Sequence, residues 1–259
     1  MARREAGAVD DRLSRAAANN AHWCRTACAA HGMASTFFDD YWLLEAGSTL
    51  PLYPNLVTLR EEGLEAQLAC IEQHHRSGFT PWSVKDSFNR LDLRPLGFDV
   101  LIDAEWFFRP PDARGRGQAG AGENEVGEPV TGQRVESVAE LRAWETAWAQ
   151  RPPDWSFGDC VFPSALLEDD RVSFLFSGGD GGIRAGLVAN YDAGVVGLSN
   201  AFARSGQVSD LVGCLRLVTA LWPGVPLVGY GTGPELEGLE RLGFERTGPC
   251  RIWQRASGV

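Results

Sequence analysis

The chain has 259 residues, with 24 Lys and Arg against 34 Asp and Glu for a formal charge of −10, and an apolar share of 44% that includes 9 Trp and 13 Phe. That much apolar and aromatic surface excludes a disordered chain, and the negative balance argues against general polyanion binding, which needs Lys and Arg to neutralise phosphates. No transmembrane-length apolar run occurs and the start MARREAGAVDDRLSRAAANN lacks a signal-peptide core, so a cytoplasmic protein without a membrane partner is expected.

Six cysteines (Cys24, Cys28, Cys70, Cys160, Cys214, Cys250) are scattered without a CxxC pair and read as reduced and packed. The histidines His22, His31, His74 and His75 fall in neither an HExxH nor a finger spacing, so no metal is expected. Serine and cysteine nucleophiles are disfavoured because no G-x-S-x-G elbow occurs.

In chain order, the N-terminal part mixes aromatic and polar groups outside any clean period: His22-Trp23, His31-Gly32, Trp42, Tyr53-Pro54-Asn55, Trp82 and Lys85-Asp86-Ser87. Such a mixture suits a substrate-pocket wall or an irregular core. Asp103 and Glu105, two apart in a strand-like run from Leu101 to Phe108, would share one face; buried there, one could take a proton from an amine. From Pro110 to Gln133 the chain is rich in Gly, Pro and charge and reads as a linker or loop. It divides the sequence into 1–109, 110–133 and 134–259.

Beyond it, Ser137 to Gln150 has apolar residues at helical spacing, and Ser137 with Glu140 forms a capping box. Arg171–Ser177, Ile183–Asn190 and Val195–Ala203 read as an antiparallel meander, joined by GGDGG and by Tyr191-Asp192-Ala193-Gly194. Gly178 to Gly182 has no Lys-Ser/Thr pair and leads into no helix, so it is a hairpin turn rather than a phosphate loop. Ser209 or Asp210 caps a helix to Trp222, Val225–Tyr230 is a buried strand, Pro234–Leu242 is a short helix ended by Gly243, and Glu245–Arg255 is the last strand.

This order, helix, three antiparallel strands, helix, strand, helix, strand, together with the tail LERLGFERTGPCRIW, resembles the GNAT acyltransferase superfamily over about Val135–Arg255. The resemblance implies a mixed α/β sheet and transfer of an acyl group from acetyl-CoA or another acyl-CoA to an amine of a small molecule. It implies that the central strand lies along the pantetheine arm, with Leu198 and Phe202 on the cofactor and Asn200 facing the acyl or substrate group at the reaction centre, that Tyr230 acts as acid toward a thiolate, and that Arg204, Ser205 and Gly206 approach the pyrophosphate. The family's Q/R-x-x-G-x-G/A loop is degenerate here, reading Arg204-Ser205-Gly206-Gln207-Val208-Ser209-Asp210 with no second glycine and with an acid at its end. Glu105 is the candidate base.

Val84–Arg109 aligns with Val228–Arg255 through a strand end, a helix, an LGF turn and a closing strand, which suggests a partial second copy of the fold. Alternatively Phe98–Arg109 is the first strand of a single domain and the earlier residues form a cap. A non-catalytic ligand-binding or accessory protein is one rival function. Acyl transfer from aminoacyl-tRNA by a tandem chain is another, with tRNA as the one nucleic-acid partner admitted.

Overall fold

The computed structural model describes residues 6–45, 50–78, 80–111, 131–149, 161–179 and 182–255. In chain order the N-terminal elements are α1 (Ala6–Ala30), β1 (Ser35–Phe37), β2 (Tyr41–Leu44), β3 (Leu56–Thr58), α2 (Leu64–Ser77), β4 (Trp82–Asp86) and β5 (Asp99–Arg109). The C-terminal elements are β6 (Gly132–Arg134), α3 (Val138–Ala149), β7 (Val172–Gly179), β8 (Gly182–Asp192), β9 (Val195–Ala203), α4 (Val212–Leu221), β10 (Leu227–Gly231), α5 (Gly233–Arg241) and β11 (Glu245–Arg255). No described helix is long and apolar enough to cross a membrane.

The chain forms two compact units, one of residues 1–106 with 247–259 and the other of residues 107–246. These limits fall inside β5 and β11 rather than at the Gly- and Pro-rich stretch, because the C-terminal strand is claimed by the first unit. Most of that stretch lies outside the described residues, but its end, Gly132–Arg134, is the edge strand β6, paired antiparallel with β7.

The first unit orders its strands β1-β2-β3-β4-β11-β5. β3 and β4 run parallel, and β11 pairs antiparallel with β4 from Arg251↔Asp86 to Arg255↔Trp82. Its core is Leu56, Ile71, Trp82, Val84, Leu93, Phe98 and Trp253, so the aromatics of the irregular N-terminal stretch are packing residues. α1 lays a stripe of small side chains inward, Ala17, Ala21, Cys24 and Cys28 being buried at helical spacing. The same helix brings in Asn20, whose amide oxygen accepts from the buried Lys85 ammonium at 2.9 Å while the ammonium sits 5.6 Å from the Trp106 ring centroid.

In the second unit β6-β7-β8-β9-β10 follow one another, with the end of β5 beside β10. β7, β8 and β9 form the expected antiparallel meander, and β10 runs parallel to β9. α3 opens with the expected capping box: the Glu140 N–H donates to Ser137 Oγ at 3.2 Å, and the Ser137 N–H donates back to Glu140 Oε2 at 3.0 Å. The Glu136 N–H, which donates to Glu140 Oε2 at 2.8 Å, is the foremost of the bonds that hold the Glu140 carboxyl below its usual range, followed by those from Ser137.

The internal echo is sharpest at the two LGF corners. The Gly97 N–H donates to the Arg94 carbonyl and the Phe98 N–H to the Leu93 carbonyl, while Gly243 donates to Glu240 and Phe244 to Leu239. Both glycines are left-handed, at φ 74° and 88°, which only glycine adopts without cost. Each corner feeds an 11-residue strand. The copies differ ahead of the corner, where α5 is matched only by the 3₁₀ turn Arg94–Leu96. The closing strands are exchanged: β11 of the C-terminal half lies on β4, and β5 of the N-terminal half lies on β10.

Candidate functional site

The ladder between β9 and β10 is short. Val196 pairs with Leu227 and Gly197 with Val228, and no pairing follows. From there the strands part, and a cleft of about 80 Å³ opens between them in the second unit. Leu198, Ala201, Phe202 and Ala203 of β9 line one wall, and Tyr230 and Gly231 of β10 the other. Phe107 closes the β10 side because Gly229 has no side chain, and a Cβ there would strike the Phe107 ring.

A β-bulge bends β9 at the fork. Gly186 faces Phe202 and Val188 faces Ser199, so Leu187 alone opposes both Asn200 and Ala201. Asn200 takes φ 51°. Asparagine tolerates this left-handed conformation far better than a branched residue does, which explains an Asn in a strand otherwise rich in strand formers. Asn200→Gly is therefore expected to leave stability nearly unchanged, whereas Asn200→Val should cost about 1–3 kcal/mol and blunt any ligand binding at the fork. Urea titration of both variants checks this; equal costs would remove the conformational explanation.

The loop after β9 departs from expectation. Rather than capping a helix, Ser209 and Asp210 lie in a 3₁₀ turn, Val208–Leu211, that precedes α4 and has no side-chain cap. The Asp210 carboxylate instead accepts from Ser205 Oγ at 2.7 Å, and Ser205 Oγ accepts the Gln207 N–H at 3.0 Å. Other loop amides are also committed: Arg204 donates to Arg184, Gly206 to Ala203 and Asp210 to Gln207. Arg204, Ser205 and Gly206 are exposed, and of the three only Gly206, at φ 75°, lines the cleft.

Of the residues expected to form the site, the fold gathers Leu198, Phe202, Gly206 and Tyr230 around one cleft and places Asn200 at the bend that opens it. Glu105 belongs to the first unit and is not among the lining residues; its strand neighbour Asp103 accepts from Arg251 at 2.6 Å. The carboxylate at the cleft is Glu235, in the first turn of α5, with Oε2 3.7 Å from where a Gly231 Cβ would stand. Sequence reasoning passed over it, although its place one turn beyond Tyr230 at the end of a central strand was a usable signal. The described cysteines are poor nucleophiles: burial pushes the Cys24 thiol up to about 11 and Cys28, Cys214 and Cys250 up to about 12, and it raises Cys70 as well.

The fork suits the pantetheine end of an acyl thioester, since apolar side chains of Leu198, Phe202, Val208 and Leu211 flank a bent strand whose extra residue leaves the ladder interrupted. The following loop suits a diphosphate less well, because the amides of Arg204, Gly206, Gln207 and Asp210 are bonded within the protein and a carboxylate stands among them.

Neither a protein-family model nor a curated protein matches the sequence. Solved structures do match. A GCN5-related N-acetyltransferase from Kribbella flavida is similar at TM-score 0.62 and 13% identity, over 96% of this chain and 96% of its own. A tandem GNAT protein from the clavulanic acid biosynthesis pathway aligns over 100% of this chain and 98% of its own, at TM-score 0.51 and 13% identity. A functionally unknown conserved protein from Staphylococcus epidermidis aligns over 85% and 92%, at TM-score 0.58 and 12% identity. With the meander, the parted central strands and the LGF corners, these likenesses identify the chain's fold as that of the GCN5-related N-acetyltransferases.

Proposed function

We propose that the second unit is an acyltransferase, moving an acyl group from acyl-CoA to an amine of a small molecule. The observation that carries this reading is the fork: β9 and β10 part after two pairs, beside a bulge, and open a cleft that holds both a phenol and a carboxylate. Bound acyl-CoA supplies an activated thioester. Leu198 and Phe202 hold its arm by apolar contact, and an amide of the bent central strand meets the developing oxyanion. Glu235 takes the proton from the incoming amine, and the Tyr230 hydroxyl gives one to the departing sulfur. Asn200 shapes the strand rather than touching protons. The open cleft supports the enzyme, while the loop amides bonded within the protein are the feature that supports the rival, a non-catalytic ligand-binding module.

The test is calorimetric titration with acetyl-CoA and S-acetyl-pantetheine, followed by thiol release in the presence of a panel of primary amines. Micromolar binding with amine-dependent release of thiol is expected. Absence of heat with both thioesters at millimolar concentration would overturn the reading.

A further inference from the structure

Resting on that reading, the loop geometry narrows the donor: we infer that the fork recognises an acyl-pantetheine thioester through its arm alone, without gripping the diphosphate of coenzyme A. An anion-binding loop needs backbone N–H groups that converge on open space, helped by the positive end of the next helix. Here the N–H groups of Arg204, Gly206, Gln207 and Asp210 all donate within the protein, to Arg184, Ala203, Ser205 and Gln207. The side chain best placed to soften that deficit, Ser205, is bonded to a carboxylate. Asp210 is itself fixed from two sides, since its carbonyl accepts from the buried Ser177 hydroxyl at 2.7 Å. Four amides of the turn are therefore spent inside the protein, and a diphosphate arriving there would meet the Asp210 carboxylate as well as the exposed Arg204. The cleft lining takes in this loop only through Gly206 and the apolar Val208 and Leu211, so selection lies in the apolar walls that flank the arm. A carrier-protein phosphopantetheine and coenzyme A both supply that arm.

Three probes separate these ideas: acetyl-CoA, S-acetyl-pantetheine and adenosine 3′,5′-bisphosphate, titrated into the full chain. The two thioesters are expected to bind within about threefold of each other, the bisphosphate is expected not to displace either, and Asp210→Asn is expected to improve acetyl-CoA selectively. Acetyl-CoA binding tenfold or more tighter than S-acetyl-pantetheine, with competition by the bisphosphate, would overturn the inference and leave the acyltransferase reading intact. Silence from both thioesters would instead sink the reading on which it rests. An acetylated phosphopantetheinyl carrier protein forms the last arm. Amine-dependent loss of its acetyl group faster than from acetyl-CoA supports the inference with a carrier as the source, and equal rates support it with the free thioester.

Discussion

Replacing Trp144 with Ala is expected to destabilise the second unit by about 3–5 kcal/mol, the usual cost of deleting a fully buried tryptophan. The indole is 0% exposed and meets Phe162, Phe174 and Phe202 edge to face at 5.5, 5.2 and 5.4 Å between ring centroids. Its Nε1 donates to the Leu175 carbonyl at 2.9 Å, so truncation also removes a buried hydrogen bond worth about 1 kcal/mol. The ring fits only because Gly186 is bare; a Cβ there would lie 2.6 Å from Trp144 Nε1 and 2.7 Å from Phe202. Because Phe202 also lines the cleft, the variant should lose ligand affinity together with stability, whereas Trp144→Phe should keep most of both. Urea unfolding followed by far-ultraviolet circular dichroism measures the change, and a loss below about 1 kcal/mol would show that the cluster is not packed around this ring.

Tyr230→Phe is expected to lower kcat by about 10²-fold or more with KM and unfolding midpoint nearly unchanged, since the variant keeps the ring and removes only the proton donor. Glu235→Gln is expected to lower kcat about as strongly, because an amide cannot take the proton of the incoming amine, again with the unfolding midpoint nearly unchanged. Rates of thiol release at saturating amine would decide this, and a Glu235→Gln enzyme with an unaltered kcat would move the base elsewhere.

The C-terminal half was readable because its punctuation is strong and its contacts are near in sequence. Asp192-Ala193-Gly194, Pro223-Gly224 and Gly243 mark real turns, and β9 and β11 have the limits expected of them. The N-terminal half hid its elements for physical reasons. α1 buries Ala, Cys and Asn rather than large apolar residues, so it lacks the usual amphipathic signature. β1 and β3 are only three residues long, too short to show alternation. At the site, Tyr230 and Phe202 could be placed from strand ends. The fork itself could not, since the parting of two strands depends on a bulge and on Phe107 pressing against Gly229 from a distant strand. Asp210 looked like a helix cap because the sequence cannot show that Ser205 captures its carboxylate first.

The exchange of closing strands sets the order in which synthesis can complete the molecule. β4 is made early, yet its neighbour in the sheet, β11, ends at Arg255, so Trp82 waits for the far end of the chain. The second unit has no such debt, because β5 precedes all its other strands and is already present when β10 emerges. On the ribosome the unit translated later can therefore close first, and the unit translated first stays open along β4 until β11 has left the exit tunnel. Splitting the gene between the halves would strand each fragment with the other's closing strand, so the two must be co-expressed to regain a folded protein.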